Sequence, residues 1–151
     1  MPMKIAGTVA SLLQEKGTEV WSIEPGALVF DAIQLLANQN IGALPVVEDG
    51  ELLGIFSERD YTRKVMLRGK SSRQTRLREI ISTDVITVEP RDTIENCMHL
   101  MTEHRIRHLP VLEGDRLVGI VSIGDVVNWI ISAQNTALHQ MEAYISGSYP
   151  G

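Results

Sequence analysis

Two serine–aspartate pairs stand out for the chemistry their spacing allows. Ser57 precedes Asp60 by three residues, Ser122 precedes Asp125 by three, and both pairs sit in Gly-x-x-Ser-x-x-Asp. Asp and Ser suit the start of a helix, where their oxygens accept from backbone amides that the first turn leaves without partners. An ionised carboxylate in that position can also accept both neighbouring hydroxyls of a ribose, as an acidic residue does in dinucleotide folds. The two serines could donate to ribose or phosphate oxygens. A capping pair with no ligand explains the same residues, and sequence alone leaves both readings open.

Other constellations fail on inspection. His99, His104 and His108 suggest a metal cluster, but His108 belongs to a strand entrance and shares no helical face with the others, so no metal site is assigned. Ser122 sits in Ile-Val-Ser-Ile-Gly, without the first glycine of a nucleophile elbow. There is no Walker or Rossmann glycine fingerprint. Trp21 and Trp129 read as packing residues rather than base-stacking platforms. With no activated nucleophile, metal set or poised acid–base pair, no catalytic residue is assigned and the chain does not read as an enzyme.

The elements that position the two pairs form a repeat. Ala43–Asp60 (ALPVVEDGELLGIFSERD) returns as His108–Asp125 (HLPVLEGDRLVGIVSIGD) at a constant offset of 65 residues, and the register holds back to Val20 and Val85. Such a repeat decides the architecture. In each copy a Leu-Pro-Val run meets a polar turn, Asp49-Gly50 or Gly114-Asp115, and then a second apolar run, which is a hairpin signal. Val29, Ala32, Ile33 and Leu36 repeat as Ile94, Cys97, Met98 and Met101, the buried stripe of a helix. Cys97 is a small core residue on this reading. Asp92 and Glu95 have capping-box spacing.

Upstream, Thr8 to Lys16 reads as an amphipathic lead-in helix, with Leu77, Ile80 and Ile81 as its counterpart. Short strands are expected at Glu19 to Ile23 and Asp84 to Val88, each ended by Glu-Pro. Each copy is thus helix, strand, helix, strand, strand, helix. The boundaries are 1–68 for the first copy with its lead-in helix, 69–75 for a polar linker, 76–133 for the second copy, and 134–151 for a helical extension and tail. The last helix reaches about Tyr144 and Ser146 to Gly151 is a loose tail. Val126, Val127, Ile130, Ile131, Leu138, Met141 and Ile145 are its apolar residues, and its far half could pack on a second chain.

A chain of 151 residues with 44% hydrophobic content suits one compact domain or two small ones sharing a core. No apolar run approaches the roughly 20 residues that cross a bilayer, and no signal peptide is evident, so a cytoplasmic protein without membrane contact is expected. One cysteine excludes an internal disulfide framework. A net charge of −5 argues against general nucleic-acid binding. The local basic run of Arg59, Arg63, Lys64, Arg68, Lys70, Arg73, Arg76 and Arg78 reads as a solvated helix and linker, with attraction of an anionic ligand as the other reading.

Taken together, the Leu-Pro-Val strands and the segments Gly54–Asp60 and Gly119–Asp125 resemble the CBS domain family. The chain is similar to a tandem CBS pair, or Bateman module, from its lead-in helix to about residue 130. The resemblance implies an α/β (α+β) fold of two βαββα units in a pseudo-twofold arrangement. It also implies adenosine-containing ligands in clefts between the units: AMP, ADP, ATP, S-adenosylmethionine or NAD(H). Dimerisation and regulation of a partner protein in trans complete the expectation, with no cofactor required. The alternative is a ligand-free interaction or dimerisation module.

On this resemblance Asp60 and Asp125 hold ribose, with Ser57 and Ser122 beside them. Adenine lies against Val20 and Ser22 or Val85 and Thr87, with Ala43, Leu44 and Pro45, or Leu109 and Pro110, as the opposite wall. The two sites are not equivalent. Arg59 stands where the second copy has Gly124, and Arg107-His108 where the first has Gly42-Ala43. Guanidinium groups match phosphate in a fork geometry. Both sites are therefore expected to bind adenosine ligands but to hold phosphates with different residues.

Overall fold

A computed structural model describes residues 5–17 and 19–145. The expected loose tail, Ser146 to Gly151, lies outside the described residues. Helix α1 spans Val9–Lys16, with Thr8 as its N-cap accepting from the Ser11 amide. Helix α2 (Val29–Gln39) leads through Asn40, in the left-handed conformation, to strands β1 (Ala43–Glu48) and β2 (Glu51–Ser57). Helix α3 (Glu58–Asp60) runs directly into a π-helical stretch, Tyr61–Met66. The second copy follows with a 3-10 turn (Leu77–Glu79), α4 (Ile94–His104), β3 (His108–Glu113), β4 (Arg116–Ser122) and α5 (Ile123–Ile145).

β1 and β2 pair antiparallel, from Ala43 opposite Ser57 to Glu48 opposite Glu51, with a bulge after Val46. The turn between them places Asp49 at φ 52 and Gly50 at φ 81, the two positive angles that a type I′ hairpin needs. β3 and β4 form the second two-stranded sheet. Its turn puts Gly114 at φ 64, in the first central position, which a II′ turn reserves for glycine.

Four expectations are corrected. The strands expected at Glu19 to Ile23 and Asp84 to Val88 shrink to single parallel bridges, Ile23 with Val46 and Val88 with Val111. Each segment meets a neighbouring strand only at its last residue before Glu-Pro, and the proline stops the ladder from continuing beyond it. The second lead-in helix is only a 3-10 turn. The N-cap of α4 is Thr93, accepting from Asn96, rather than Asp92 with Glu95. The last helix of the first copy is largely π-helical rather than α-helical.

By their contacts the described residues form two compact units. One comprises those of Thr18–Glu89 and Pro110–Ile120; the other comprises those up to Gly17, Pro90–Leu109 and those from Val121 onward. The first unit packs Val29, Ala32 and Leu36 of α2 against Leu44, Val46 and Phe56 of the hairpin, closed by Val65, Leu77 and Ile80. Full burial of each valine, leucine, isoleucine or phenylalanine among them contributes about 1.5–3 kcal/mol. The second unit buries Val9, Leu12 and Leu13 with Ile94, Cys97, Met101, Leu109, Val121 and Val126. Burial there, with Asp92 second, pushes the Cys97 thiol up to about 11.

The lead-in elements are exchanged. Helix α1 precedes the first copy in sequence but is held by the second: Val9 and Ala10 amides donate to the carbonyls of Asp92 and Pro90. The 3-10 turn precedes the second copy but is held by the first, where Leu77 and Arg78 amides donate to Ala27 and Pro25 carbonyls. The linker clasps α2 in the same way. Val29 and Phe30 amides donate to Thr75 and Ser72 carbonyls, and the Arg73 guanidinium lies 4.2 Å over the Phe30 ring. Part of the basic run thus serves the fold, since Arg76 also donates to the Gly26 carbonyl.

Candidate functional site

Both Ser–Asp pairs close into the same reciprocal clamp. At the end of β2 the Ser57 amide donates to Asp60 Oδ2 at 2.9 Å, and the Asp60 amide donates back to Ser57 Oγ at 3.2 Å. At the end of β4 the Ser122 amide donates to Asp125 Oδ2 at 2.8 Å, and the Asp125 amide donates to Ser122 Oγ at 3.1 Å. The hairpin end is tied in the same register in both copies, Glu58 N to Gly42 O and Ile123 N to Arg107 O. The clamp orients each carboxylate while leaving its side chain about one-fifth exposed, 19% for Asp60 and 20% for Asp125. A fixed, partly solvated carboxylate is suited to accept hydroxyl donors from a ligand.

The surroundings differ. In the first copy the Ser57 hydroxyl also donates to Asp60 Oδ2, at 3.0 Å. The Lys64 ammonium stands 3.6 Å from Oδ1 and donates to the Ile80 carbonyl at 3.1 Å. In the second copy Lys16, from the end of α1, reaches Asp125 Oδ2 at 2.6 Å. This cation comes from 109 residues away in the chain. Leu12, Glu15, Lys16, Asp125, Asn128, Trp129 and Ser132 line a cavity of about 220 Å³ at this place. The Trp129 indole donates to the Ala6 carbonyl at 2.8 Å and lies against Gly7, where a Cβ would meet it at 2.5 Å. Trp129, read from sequence as packing alone, therefore packs on the N-terminal segment and lines the cavity as well.

The other expected site residues divide. Val20, Ser22, Ala43, Leu44, Pro45, Ser57, Arg59 and Asp60 belong to one unit, with Val85, Thr87 and Pro110; Arg107, His108, Leu109, Ser122 and Asp125 belong to the other. Leu44 and Leu109 have no exposed surface and Ala43 only 4%, so their side chains are core and only backbone could face a ligand. The Pro45 and Pro110 carbonyls already accept from Ile23 and Val88 amides. Ser22, Arg59 and Arg107 are exposed, while Val20, Val85, Thr87 and His108 are half-buried. Burial lowers the pKa of His108; Asp125 acts in the opposite sense, and Lys16 and Arg107 lower it further. The lowered pKa leaves the His108 imidazole mostly uncharged at pH 7. Among the described residues no cluster of three His, Cys, Asp or Glu could hold a metal, and no helix is long and apolar enough to cross a membrane.

Two duplicated helix–hairpin–helix copies with a Ser–Asp clamp in each define a CBS-type repeat. The chain belongs to the CBS domain family, whose model matches residues 16–67 and 77–132. It is 38% identical over 152 residues to the CBS domain-containing protein CBSX3, mitochondrial, of Arabidopsis thaliana, covering 94% of this chain and 73% of that protein. A solved structure of a protein with CBS domains from Burkholderia ambifaria superposes with a TM-score of 0.81 at 46% identity, covering 85% of this chain and 96% of that one. The CBS domain pair of protein MJ0100, in complex with 5′-methylthioadenosine and S-adenosyl-L-methionine, shares the fold, with a TM-score of 0.75 at 23% identity over 84% and 98% of the two chains.

Proposed function

We propose that the protein is a regulatory, signal-transduction module that binds adenosine-containing ligands at its two Ser–Asp clamps and modulates a partner protein in trans, without catalysis of its own. AMP, ADP, ATP, NAD(H) and S-adenosylmethionine are the candidate ligands. The observation that carries this reading is the clamp itself, built twice in the same geometry with the carboxylate still partly exposed. The CBS fold holds adenosine compounds in the MJ0100 pair, which fits the reading. A ligand acts as a signal here only by binding two states of the module with different affinity. A cytoplasmic setting goes with this reading, although the Arabidopsis relative is mitochondrial by name.

Thermal shifts with AMP, ADP, ATP, NAD⁺, NADH and S-adenosylmethionine test it, on the wild type, Asp60→Ala, Asp125→Ala and the double variant. A ligand at about 100 times its Kd adds roughly 2.7 kcal/mol of stability. The shift should shrink in one single variant and vanish in the double. No shift with any of the six, from folded protein, would refute ligand sensing.

One observation favours an interaction module instead. Ile123, Val127 and Ile131 expose 38%, 44% and 48% of their surfaces at four-residue spacing along α5. Such a stripe suits a homodimer contact. Sedimentation of Val127→Glu against the wild type tests this; a dimer in both excludes the stripe as the contact.

A further inference from the structure

Lys16 sets the second site apart, and its role rests on the proposed binding of adenosine ligands at Asp125. Its ammonium sits 2.6 Å from Asp125 Oδ2, the same oxygen that takes the Ser122 amide at 2.8 Å. A carboxylate oxygen offers two lone pairs, so these two donors fill it. A ribose hydroxyl seeking Oδ2 must displace the ammonium. For a neutral nucleoside that displacement costs the ion pair. For a nucleotide the phosphate offers the ammonium another anion. Lysine is a point charge on a flexible four-carbon stem, and this one is one-third exposed, so it can turn from one anion to the other.

We infer that Lys16 is a specificity-determining residue that makes the second site select phosphorylated adenosine ligands over the bare nucleoside. The adjoining cavity gives the released ammonium room, with Asn128 and Ser132 in its wall as neutral donors for phosphate oxygens; Glu15 shares the rim. The lowered pKa of His108 leaves little charge on it at pH 7, and the cation that the structure places on Asp125 is Lys16. The first copy lacks this exchange. There the Lys64 ammonium is tethered to the Ile80 carbonyl and stands 3.6 Å from the other carboxylate oxygen, Oδ1.

Calorimetric titration with adenosine and with AMP tests the inference in an Asp60→Asn background, which weakens the first site. Lys16→Met should bind adenosine about two- to fivefold more tightly, the range of an exposed ion pair. It should bind AMP about tenfold more weakly, as loss of a charge-assisted hydrogen bond implies. Lys16→Arg should retain the preference for AMP, and Asp125→Ala should lose both ligands. Parallel changes for adenosine and AMP in Lys16→Met, or no change, overturn the inference and leave ligand sensing standing. Binding that vanishes in Asp60→Asn alone places the ligand in the first copy and also overturns it. If the wild type binds neither ligand, sensing of these ligands fails with it.

Discussion

Lys64 and Trp129 occupy the same position in the two copies and do different work. Each stands four residues after its site aspartate. Lys64 turns back toward Asp60 and the Ile80 carbonyl, whereas Trp129 turns toward the N-terminal segment and binds Ala6 through its indole nitrogen. With Trp129 so placed, the cation at Asp125 comes from α1 instead. Duplication thus preserved the clamp and exchanged its neighbours.

That exchange has an energetic signature. Trp129→Phe keeps an aromatic ring but removes the bond to Ala6 and part of the packing on Gly7, and should cost about 1–2 kcal/mol in urea denaturation. Lys64→Met removes both an ion pair that is one-third exposed on the lysine side and the bond to the Ile80 carbonyl, and should cost about 1–2 kcal/mol. Wild-type stability in either variant would mean that the contacts removed there contribute nothing net.

The serines should matter for stability even without ligand. Ser57→Ala and Ser122→Ala each lose a side-chain N-cap, worth about 1 kcal/mol. Ser57 has the additional bond from its hydroxyl to Asp60, so its variant should melt lower than Ser122→Ala. Equal melting would mean that this hydroxyl bond contributes nothing net.

The duplicated core was legible in the sequence because it repeats. The stripe Val29, Ala32 and Leu36, its echo Ile94, Cys97 and Met101, the Asp49-Gly50 turn and both Ser–Asp clamps follow from spacing and residue type alone. Lys16 was not legible as a site residue. At the end of a predicted amphipathic helix a lysine reads as a favourable charge for the helix dipole. Only the docking of α1 on the second copy, through Val9 and Ala10 amides, brings it to Asp125. The cavity wall of Asn128, Trp129 and Ser132 was hidden for the same reason, because one side of it comes from α1. The short strands failed for a local reason. Residues before Glu24-Pro25 and Glu89-Pro90 look strand-like, but each finds only one residue of a neighbouring strand to pair with.

Gly54 should tolerate no side chain. A Cβ there would stand 2.5 Å from the Ser82 carbonyl oxygen, which is backbone and accepts from Ile55. Gly54→Ala should lose about 1–3 kcal/mol through overpacking. Gly50→Ala meets nothing within 4 Å and pays only for its φ of +81, about 1–2 kcal/mol. Chemical denaturation of both variants separates the causes. Relaxed packing around Gly54 would show as a loss no greater than that of Gly50→Ala.

Cys97 should be unreactive in the folded protein. It is fully buried, and burial pushes its thiol up to about 11, so very little thiolate exists at pH 8. Iodoacetamide should label it only once urea unfolds the chain. Rapid labelling under native conditions would mean that α4 opens locally.

Stability should fall with acidification through His108. Burial lowers the folded pKa of this imidazole from its ordinary value of 6.5; Asp125 opposes the shift, while Lys16 and Arg107 add to it. Between the folded and unfolded values the unfolded chain holds more protons, so stability rises with pH across that window. The contribution is complete above about pH 6.5 and is lost as pH falls through the lowered folded value. His108→Gln removes the titration. Unfolding free energies measured from pH 7.5 down to 5 should therefore drop more steeply for the wild type than for His108→Gln. Equal slopes would mean that His108 carries its proton as readily in the folded protein as in the unfolded chain. In a Lys16→Met background the His108 pKa should rise, because a positive charge that opposes protonation is gone, and the wild-type slope should flatten part of the way toward that of His108→Gln.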